Sequence, residues 1–275
     1  MSPEWHPTID EPQVIFEELC EIIRGEELNR PRSTQTMIGP SGMGVTCTRW
    51  LLHQIAETEE PAAGVNWWAW MGTAMHGRLE GVVRADPIQQ AGPSPRFLIE
   101  TDVTVGMVGG KPVIGHVDLY DTLSHTVVDW KSCGKSSTQK FRAAIKRDGH
   151  PGSKYRVQLQ AYGLGMVLAG HPVRQVMNVF LPRNSTRADA FASGEIWFWS
   201  EPFDPQIAAD ALDRCNGLHD LIKGVGLAAA LDLFSAEQCT EPHCPWCPKL
   251  RREPASAAKS TTADPFGVGT TEGPA

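Results

Sequence analysis

The chain has 275 residues, 41% apolar and 21% charged, a balance that excludes wholesale disorder, collagen and coiled coil. No uncharged apolar run approaches bilayer-spanning length and residues 1–10 lack a basic, apolar leader pattern, so a cytosolic protein is expected. Net charge is −7, yet residues 131–187 hold eleven Lys/Arg against one acid, Asp148, and the rest of the chain is strongly acidic. Such a stretch is either a solvated helical face or an electrostatic footprint for phosphates.

In chain order, residues 1–10 read as a loose arm. Pro12 followed by Val14, Ile15, Leu19, Ile22 and Ile23 predicts a first helix that ends at Gly25. Residues 29–44 are rich in Pro, Gly, Ser and Thr and read as a loop, so residues 1–40 form an N-terminal helix and loop. A short helix is expected over 47–56, and a longer one over 66–84, with Trp67, Trp68, Met71, Met75 and Leu79 at helical spacing. Three β-rich runs follow at 97–105, 112–120 and 126–131, separated by turns, which predicts an antiparallel meander. Helices over 138–147 and 154–169, strands over 173–181 and 190–199, and a helix over 204–222 complete the series. Residues 249–275 are Ala, Ser, Thr, Gly and Pro with few large apolar residues, and a disordered tail is expected there.

The meander carries the chemistry. Asp118 ends one strand and Asp129-Trp130-Lys131 ends the next, so adjacent antiparallel strands can bring both carboxylates to one end of the sheet. Alternation puts Asp129 and Lys131 on one face. Two carboxylates and an ammonium make a poor core but suit a hard divalent cation, Mg²⁺ or Mn²⁺, with water and phosphate. The lysine would position or deprotonate the attacking water, or stabilise charge on the phosphate. Taken alone, acids and lysines on a surface strand give the same pattern. His76, on the helix before the sheet, reads as a packed residue or a ligand. Gln158 and Tyr162, four apart on the helix after it, read as a plain helix face or a site support. Glu100 is either a site acid or a surface acid, and His116 stays unassigned. Trp67, Trp68 and Trp70 read as core by default, with base stacking the alternative.

The order of these pieces is Gly72-x-x-x-His76, then Gly115-His116-Val117-Asp118, then Val127-Val128-Asp129-Trp130-Lys131, then Gln158-Leu159-x-x-Tyr162. This order resembles the RecB-type nucleases of the PD-(D/E)XK superfamily. The segment from Ser41 through Cys47 to Trp50, with the trailing Cys239, Cys244 and Cys247, resembles an iron–sulfur subgroup. That subgroup includes CRISPR-associated and phage RecB-like exonucleases and the AddB nuclease domain. The resemblance implies a nuclease domain over residues 41–248 with an α/β, restriction-endonuclease-like core: a mixed central sheet flanked by helices. It implies His76, Asp118 and Asp129 as metal ligands, Lys131 as the catalytic lysine, and Gln158 and Tyr162 as active-site supports. It further implies Cys47, Cys239, Cys244 and Cys247 as ligands of a 4Fe–4S cluster that clasps the two ends of the domain. The implied activity is Mg²⁺- or Mn²⁺-dependent DNA exonuclease hydrolysis in phage or mobile-element recombination or repair. DNA is the implied partner, with a recombinase or helicase beside it and no membrane. The implied location is the cytoplasm, the host's if the chain is phage-encoded.

Seven cysteines, an odd count in a reducing compartment, argue against a disulfide framework. The late trio, C-x4-C-x2-C, departs from the C-x2-C-x5-C of the family, so structural Zn²⁺ stands as the alternative to 4Fe–4S, and His243 as an alternative ligand. Cys20, Cys133 and Cys215 read as ordinary thiols. Lys140, Arg142, Lys146 and Arg147, on one predicted helix, are expected to contact DNA. The presence of Asp118, Asp129 and Lys131 together favours an active enzyme. The other readings are a catalytically idle nucleic-acid-binding module of the same fold and a zinc-clasped binding protein unrelated to nucleases.

Overall fold

The three β-rich runs form the meander that organises the chain. A computed structural model describes residues 12–28, 37–59, 61, 67–90, 92, 94–185, 187–241 and 244–247. Strand β1 (Phe97–Val108) pairs antiparallel with β2 (Lys111–Asp121) around the Gly109-Gly110 turn, and β2 pairs antiparallel with β3 (Thr126–Cys133). Two helices, α5 (Lys135–Asp148) and α6 (Ser153–Leu168), then carry the chain to β4 (Gln175–Pro182). A crossover of that length allows the parallel pairing seen between β3 and β4. Strand β5 (Trp197–Pro202) returns antiparallel to β4, giving the spatial order β1-β2-β3-β4-β5.

Helix α6 packs against β1, β2, β3 and β4. Helix α7 (Pro205–Val225) lies on α6 and β1, while α3 (Thr48–Ile55) and α8 (Leu227–Asp232) pack against α7. Helix α4 (Trp67–Ala85) contacts β1 and β3. Val105, Val117, Val127, Leu159, Met166 and Phe180 are fully buried between sheet and helices. The architecture is the expected mixed sheet flanked by helices. No helix among the described residues is long and apolar enough to cross a membrane.

Several boundaries differ from the sequence reading. Helix α1 (Pro12–Leu28) runs past Gly25, because Glu26, Glu27 and Leu28 are good helix formers and a single glycine costs only about 1 kcal/mol. The expected loop over 29–44 contains α2 (Pro40–Met43), which starts on a proline after Gly39, where a missing N–H is harmless. Its neighbour Gly44 lies so close to α6 that a Cβ there would meet Lys154 Cα at 2.7 Å. The strand expected over 190–199 begins only at Trp197, because the Asp189 carboxylate accepts the N–H groups of Phe191 and Ala192 and bends that segment into a turn. Helix α8 was not anticipated; it follows Gly226, whose φ of +82° ends α7. Residues 1–10, His243 and the tail over 249–275 lie outside the described residues.

One polar corner closes the meander. Asp121, buried at the end of β2, accepts from Arg96 Nε and Nη2 at 3.0 and 3.1 Å, from Ser124 Oγ at 2.7 Å and from Leu123 N–H at 3.2 Å. Burial works against its charge, but these hydrogen bonds and the Arg96 guanidinium outweigh it and lower its pKa. A lowered folded pKa means that the stabilisation is complete above the unfolded carboxylate value and is lost as pH falls through the folded value. Asp121→Ala is expected to destabilise the fold by about 1–3 kcal/mol in urea unfolding at neutral pH, because it strands the donors around it. The gap from wild type should shrink below about pH 4.

Candidate active site and cysteine clasp

Strands β2 and β3 pair only at Leu119/Val128, Tyr120/Val127 and Asp121/Thr126. At the next position the Asp118 carboxylate, not a backbone carbonyl, accepts the Trp130 N–H at 2.7 Å. Beyond Asp118 the two strands diverge, while β3 stays paired with β4 as far as Cys133/Pro182. Asp129 and Lys131 project into this fork from alternate positions of β3. Lys131 Nζ lies 2.8 and 3.0 Å from the two Asp129 oxygens and donates to Gln158 Oε1 at 2.9 Å. Gln158 Nε2 in turn donates to Tyr162 OH at 2.9 Å. The Tyr162 ring rests on Gly115: a Cβ there would come within 2.8 Å of the ring, so the glycine three residues before Asp118 makes room for the tyrosine. The structure therefore joins Asp129, Lys131, Gln158 and Tyr162 in one hydrogen-bonded chain.

His76 reaches the fork from α4. Its Nε2 lies 3.1 Å from the Trp130 carbonyl oxygen and its Nδ1 3.5 Å from Asp118 Oδ1. Glu100, between Ile99 and Thr101, which pair with Leu119 and Val117 of β2, completes a group in which single ligand atoms of His76, Glu100 and Asp118 all lie within 4.8 Å of one another. Its φ of +49° is unusual for a glutamate on a strand and marks local backbone strain at this position. Asp129 is not in that group; its oxygens accept from Lys131 Nζ and, at 2.8 Å, from Asn178 Nδ2. Asn178 belongs to no sequence motif; it is the parallel-register partner of Asp129 on β4, which only the strand order reveals. Tyr155 was also missed, and its ring lies 5.5 Å from Lys131 Nζ. His116 pairs with Asp102 on the neighbouring strand and stands apart from the group.

The electrostatics have one sign. Burial raises the Asp129 pKa to about 6, with Asp118 adding to the rise and Lys131 opposing it. Burial disfavours charge on His76 and Lys131, yet the surrounding carboxylates outweigh it and raise both pKa values. The site has an excess of negative charge that a cation would relieve. Two carboxylates and one imidazole, His76, Glu100 and Asp118, form a donor set that would hold a hard divalent cation such as Mg²⁺ or Mn²⁺.

The second group, Cys47, Cys239, Cys244 and Cys247, is buried, with its four sulfurs within 4.8 Å of one another. Cys47 Sγ lies 3.7 Å from Cys244 Sγ and 3.8 Å from Cys247 Sγ, across a separation of up to 200 residues. All seven cysteines are free thiols. Burial pushes the Cys244 and Cys247 thiols up to about 11. Polar contacts stitch the same seam. Glu241 Oε1 accepts from Thr46 N–H and Oγ1, each at 2.8 Å, and Arg49 Nη1 donates to the carbonyls of Leu231 and Phe234 at 2.7 and 3.1 Å. Trp246 stacks on His53, with ring centroids 3.6 Å apart. Lys140, Arg142, Lys146 and Arg147 are exposed on α5, where Arg147 forks onto Asp148 and Arg142 donates to the Gly194 carbonyl.

No family model matches the chain, and no curated protein matches it. Among solved structures, the chain is similar to an alkaline exonuclease, LHK-Exo, from Laribacter hongkongensis, with 15% identity, TM-score 0.43, and coverage of 78% of this chain and 95% of that one. It is also similar to the crystal structure of SSO0001, at 18% identity and TM-score 0.41, covering 73% of this chain and 86% of that one. A phage related exonuclease from Haemophilus somnus 129PT gives 14% identity and TM-score 0.37, covering 58% of this chain and 73% of that one. Likenesses of this degree assign no residue of this chain.

The His76, Glu100 and Asp118 group makes a direct expectation. Mn²⁺ binding measured by titration calorimetry should weaken about tenfold or more in Asp118→Asn and in Glu100→Gln, since each removes one charged oxygen donor. The His116→Ala variant should match wild type.

Proposed function

We propose that the chain is a metal-dependent deoxyribonuclease of the PD-(D/E)XK type that acts as an exonuclease. The observation that supports this reading is the fork at Asp118, where carboxylates, an imidazole and a fixed ammonium converge. His76, Glu100 and Asp118 would hold Mg²⁺ or Mn²⁺, with Asp129 beside them as a fourth candidate ligand. When bound, the ion supplies Lewis-acid polarisation of a phosphoryl oxygen and lowers the pKa of water. Lys131 does the rest of the charge work. Asp129 and Gln158 hold its ammonium in one position, so it meets the charge that builds on the phosphate without first reorganising. Tyr162 steadies Gln158 and keeps its amide oxygen turned to the lysine. Lys140, Arg142, Lys146 and Arg147 would contact DNA phosphates. Exonuclease action, a place in phage or mobile-element recombination or repair, and a recombinase or helicase partner rest on the motif resemblance.

Lys131→Ala is expected to lower Mn²⁺-dependent digestion of end-labelled DNA by about 100-fold or more. Its DNA affinity in chelator should stay within about threefold of wild type, because binding is spread over many phosphate contacts. Wild-type turnover in purified Lys131→Ala would overturn the site assignment.

The clasp is read as a single tetrahedral ion, Zn²⁺, in place of the 4Fe–4S cluster of the resembling subgroup. Four thiolates around one zinc at about 2.3 Å have edges of about 3.8 Å, which agrees with the 3.7 and 3.8 Å separations of Cys47 from Cys244 and Cys247. A cubane holds each thiolate on a different iron, pointing outward, and needs a wider ring of sulfurs. Metal analysis should find one zinc per chain in colourless protein. Cys244→Ser should lose the zinc and about 10 °C of melting temperature, since the binding energy of such a site is folding energy. Brown protein carrying about four irons per chain would restore the cluster.

A further inference from the structure

The proposed nuclease site uses the middle of α4 through His76, but leaves unexplained the tryptophans at its start. Trp67 and Trp68 are 48% and 63% exposed. Trp67 stacks on Trp70 with centroids 4.8 Å apart, and the Arg183 guanidinium sits 4.4 Å from the Trp68 ring centroid. Indoles that large normally bury themselves, and an exposed pair marks a binding surface more often than a lone exposed aliphatic does.

Their placement gives the pair a direction. Trp68, Gly72 and His76 are four residues apart in turn and form one row along the helix. His76 meets the Trp130 carbonyl, and a Cβ on Gly72 would stand 3.6 Å from Ser132 Oγ. The row therefore follows β3 outward, residue by residue, from the fork towards the carboxyl ends of the parallel pair. There the Arg183 N–H donates to the Cys133 carbonyl at 2.9 Å, which seats the arginine just past both strand ends. Arg183 Nε is buried and finds no hydrogen-bond partner among the described residues. Trp68 lies eight residues from His76, about 12 Å along the axis.

We infer that Trp68 and Arg183 form a stacking platform for the single-stranded end of a nucleic acid, holding a base on the indole and a phosphate on the guanidinium a few nucleotides from the fork. This rests on the nuclease reading and adds a binding subsite to it. The ligand class follows from chemistry. Every base offers a π-face for an indole, and every nucleotide brings an anion for an arginine. The segment that contains Arg183 and Lys131 is the one strongly basic stretch of the chain.

The test measures the full chain binding labelled oligothymidylate by fluorescence anisotropy, in chelator so that nothing is cleaved. Trp68→Ala is expected to weaken binding about tenfold or more with the salt dependence unchanged, since stacking releases no counterions. Trp68→Phe should recover most of the affinity and Trp68→Leu should not. Arg183→Ala should weaken binding and also reduce the salt slope by about one. Mn²⁺ affinity should be unchanged in all four variants. If Trp68→Ala or Trp68→Leu binds within twofold of wild type, the platform is wrong. The same holds if Phe fails to rescue, or if the variants change only self-association in sedimentation. Should the alanine variant not fold, the Phe and Leu pair decides, and equal affinities overturn the proposal. Wild type that neither binds nor cleaves DNA removes the nuclease reading itself; wild type that does both while Trp68→Ala equals it removes only the platform.

Discussion

A carboxylate standing where a backbone carbonyl would otherwise sit decides the geometry of this protein. Asp118 Oδ2 takes the Trp130 N–H, so the β2–β3 ladder ends with its hydrogen bonding satisfied rather than frayed. Two strands that would have stayed zipped are free to diverge, and the space between them is lined by whatever the last residues of β3 carry. Those residues are Asp129 and Lys131. The parallel β4 holds β3 straight from its other edge, through a continuous register from Thr126/Gln175 to Cys133/Pro182. The fork is thus a rigid opening in a sheet, with Asp118, Asp129 and Lys131 anchored on strands that pack in the core.

Rigidity is reinforced from below. Helix α6 contributes both the buried Leu159 and Met166 and the polar Gln158 and Tyr162. The helix cannot shift to accommodate a loose lysine without disturbing the core, and Gly115 and Gly44 let Tyr162 and α2 approach more closely than any side chain would allow. Backbone approach and hydrogen bonding at the site therefore depend on the same packing that stabilises the fold.

Much of this was legible because the informative residues are local in sequence. Alternation alone put Asp129 and Lys131 together, and spacing alone put Gln158 beside Tyr162. The meander and the two helices after it followed from runs of β-branched residues and from helical spacing, whereas the mixed sheet was an expectation of the motif resemblance. What stayed hidden depends on pairings that no short window contains. Asn178 meets Asp129 only because β4 lies parallel to β3 in one register, and Glu100, legible in sequence only as a site acid or a surface acid, is brought beside His76 and Asp118 by the fold. The misplaced start of β5 has a different cause: Asp189 competes for backbone N–H groups that an apolar run would have spent on a strand.

The two groups of ligand side chains differ in how they wait for an ion. At the fork, Glu100, Asp118 and Asp129 face Lys131, an excess of two negative charges in a buried setting when His76 is neutral. Burial is the main cause of the raised pKa of Asp129, with Asp118 adding to it, whereas at His76 the carboxylates outweigh a burial that works the other way. A divalent cation would cancel the excess charge, so the same repulsion that opposes folding there would strengthen ion binding and link it to stability through charge. At the clasp nothing repels. Burial keeps the Cys244 and Cys247 thiols protonated and neutral, and a metal must displace those protons before it gains its bonds. Oxygen donors in excess negative charge select a hard ion, whereas neutral buried thiols select one that binds sulfur strongly enough to expel a proton. Ions bound at the two groups would therefore not compete for the same donors.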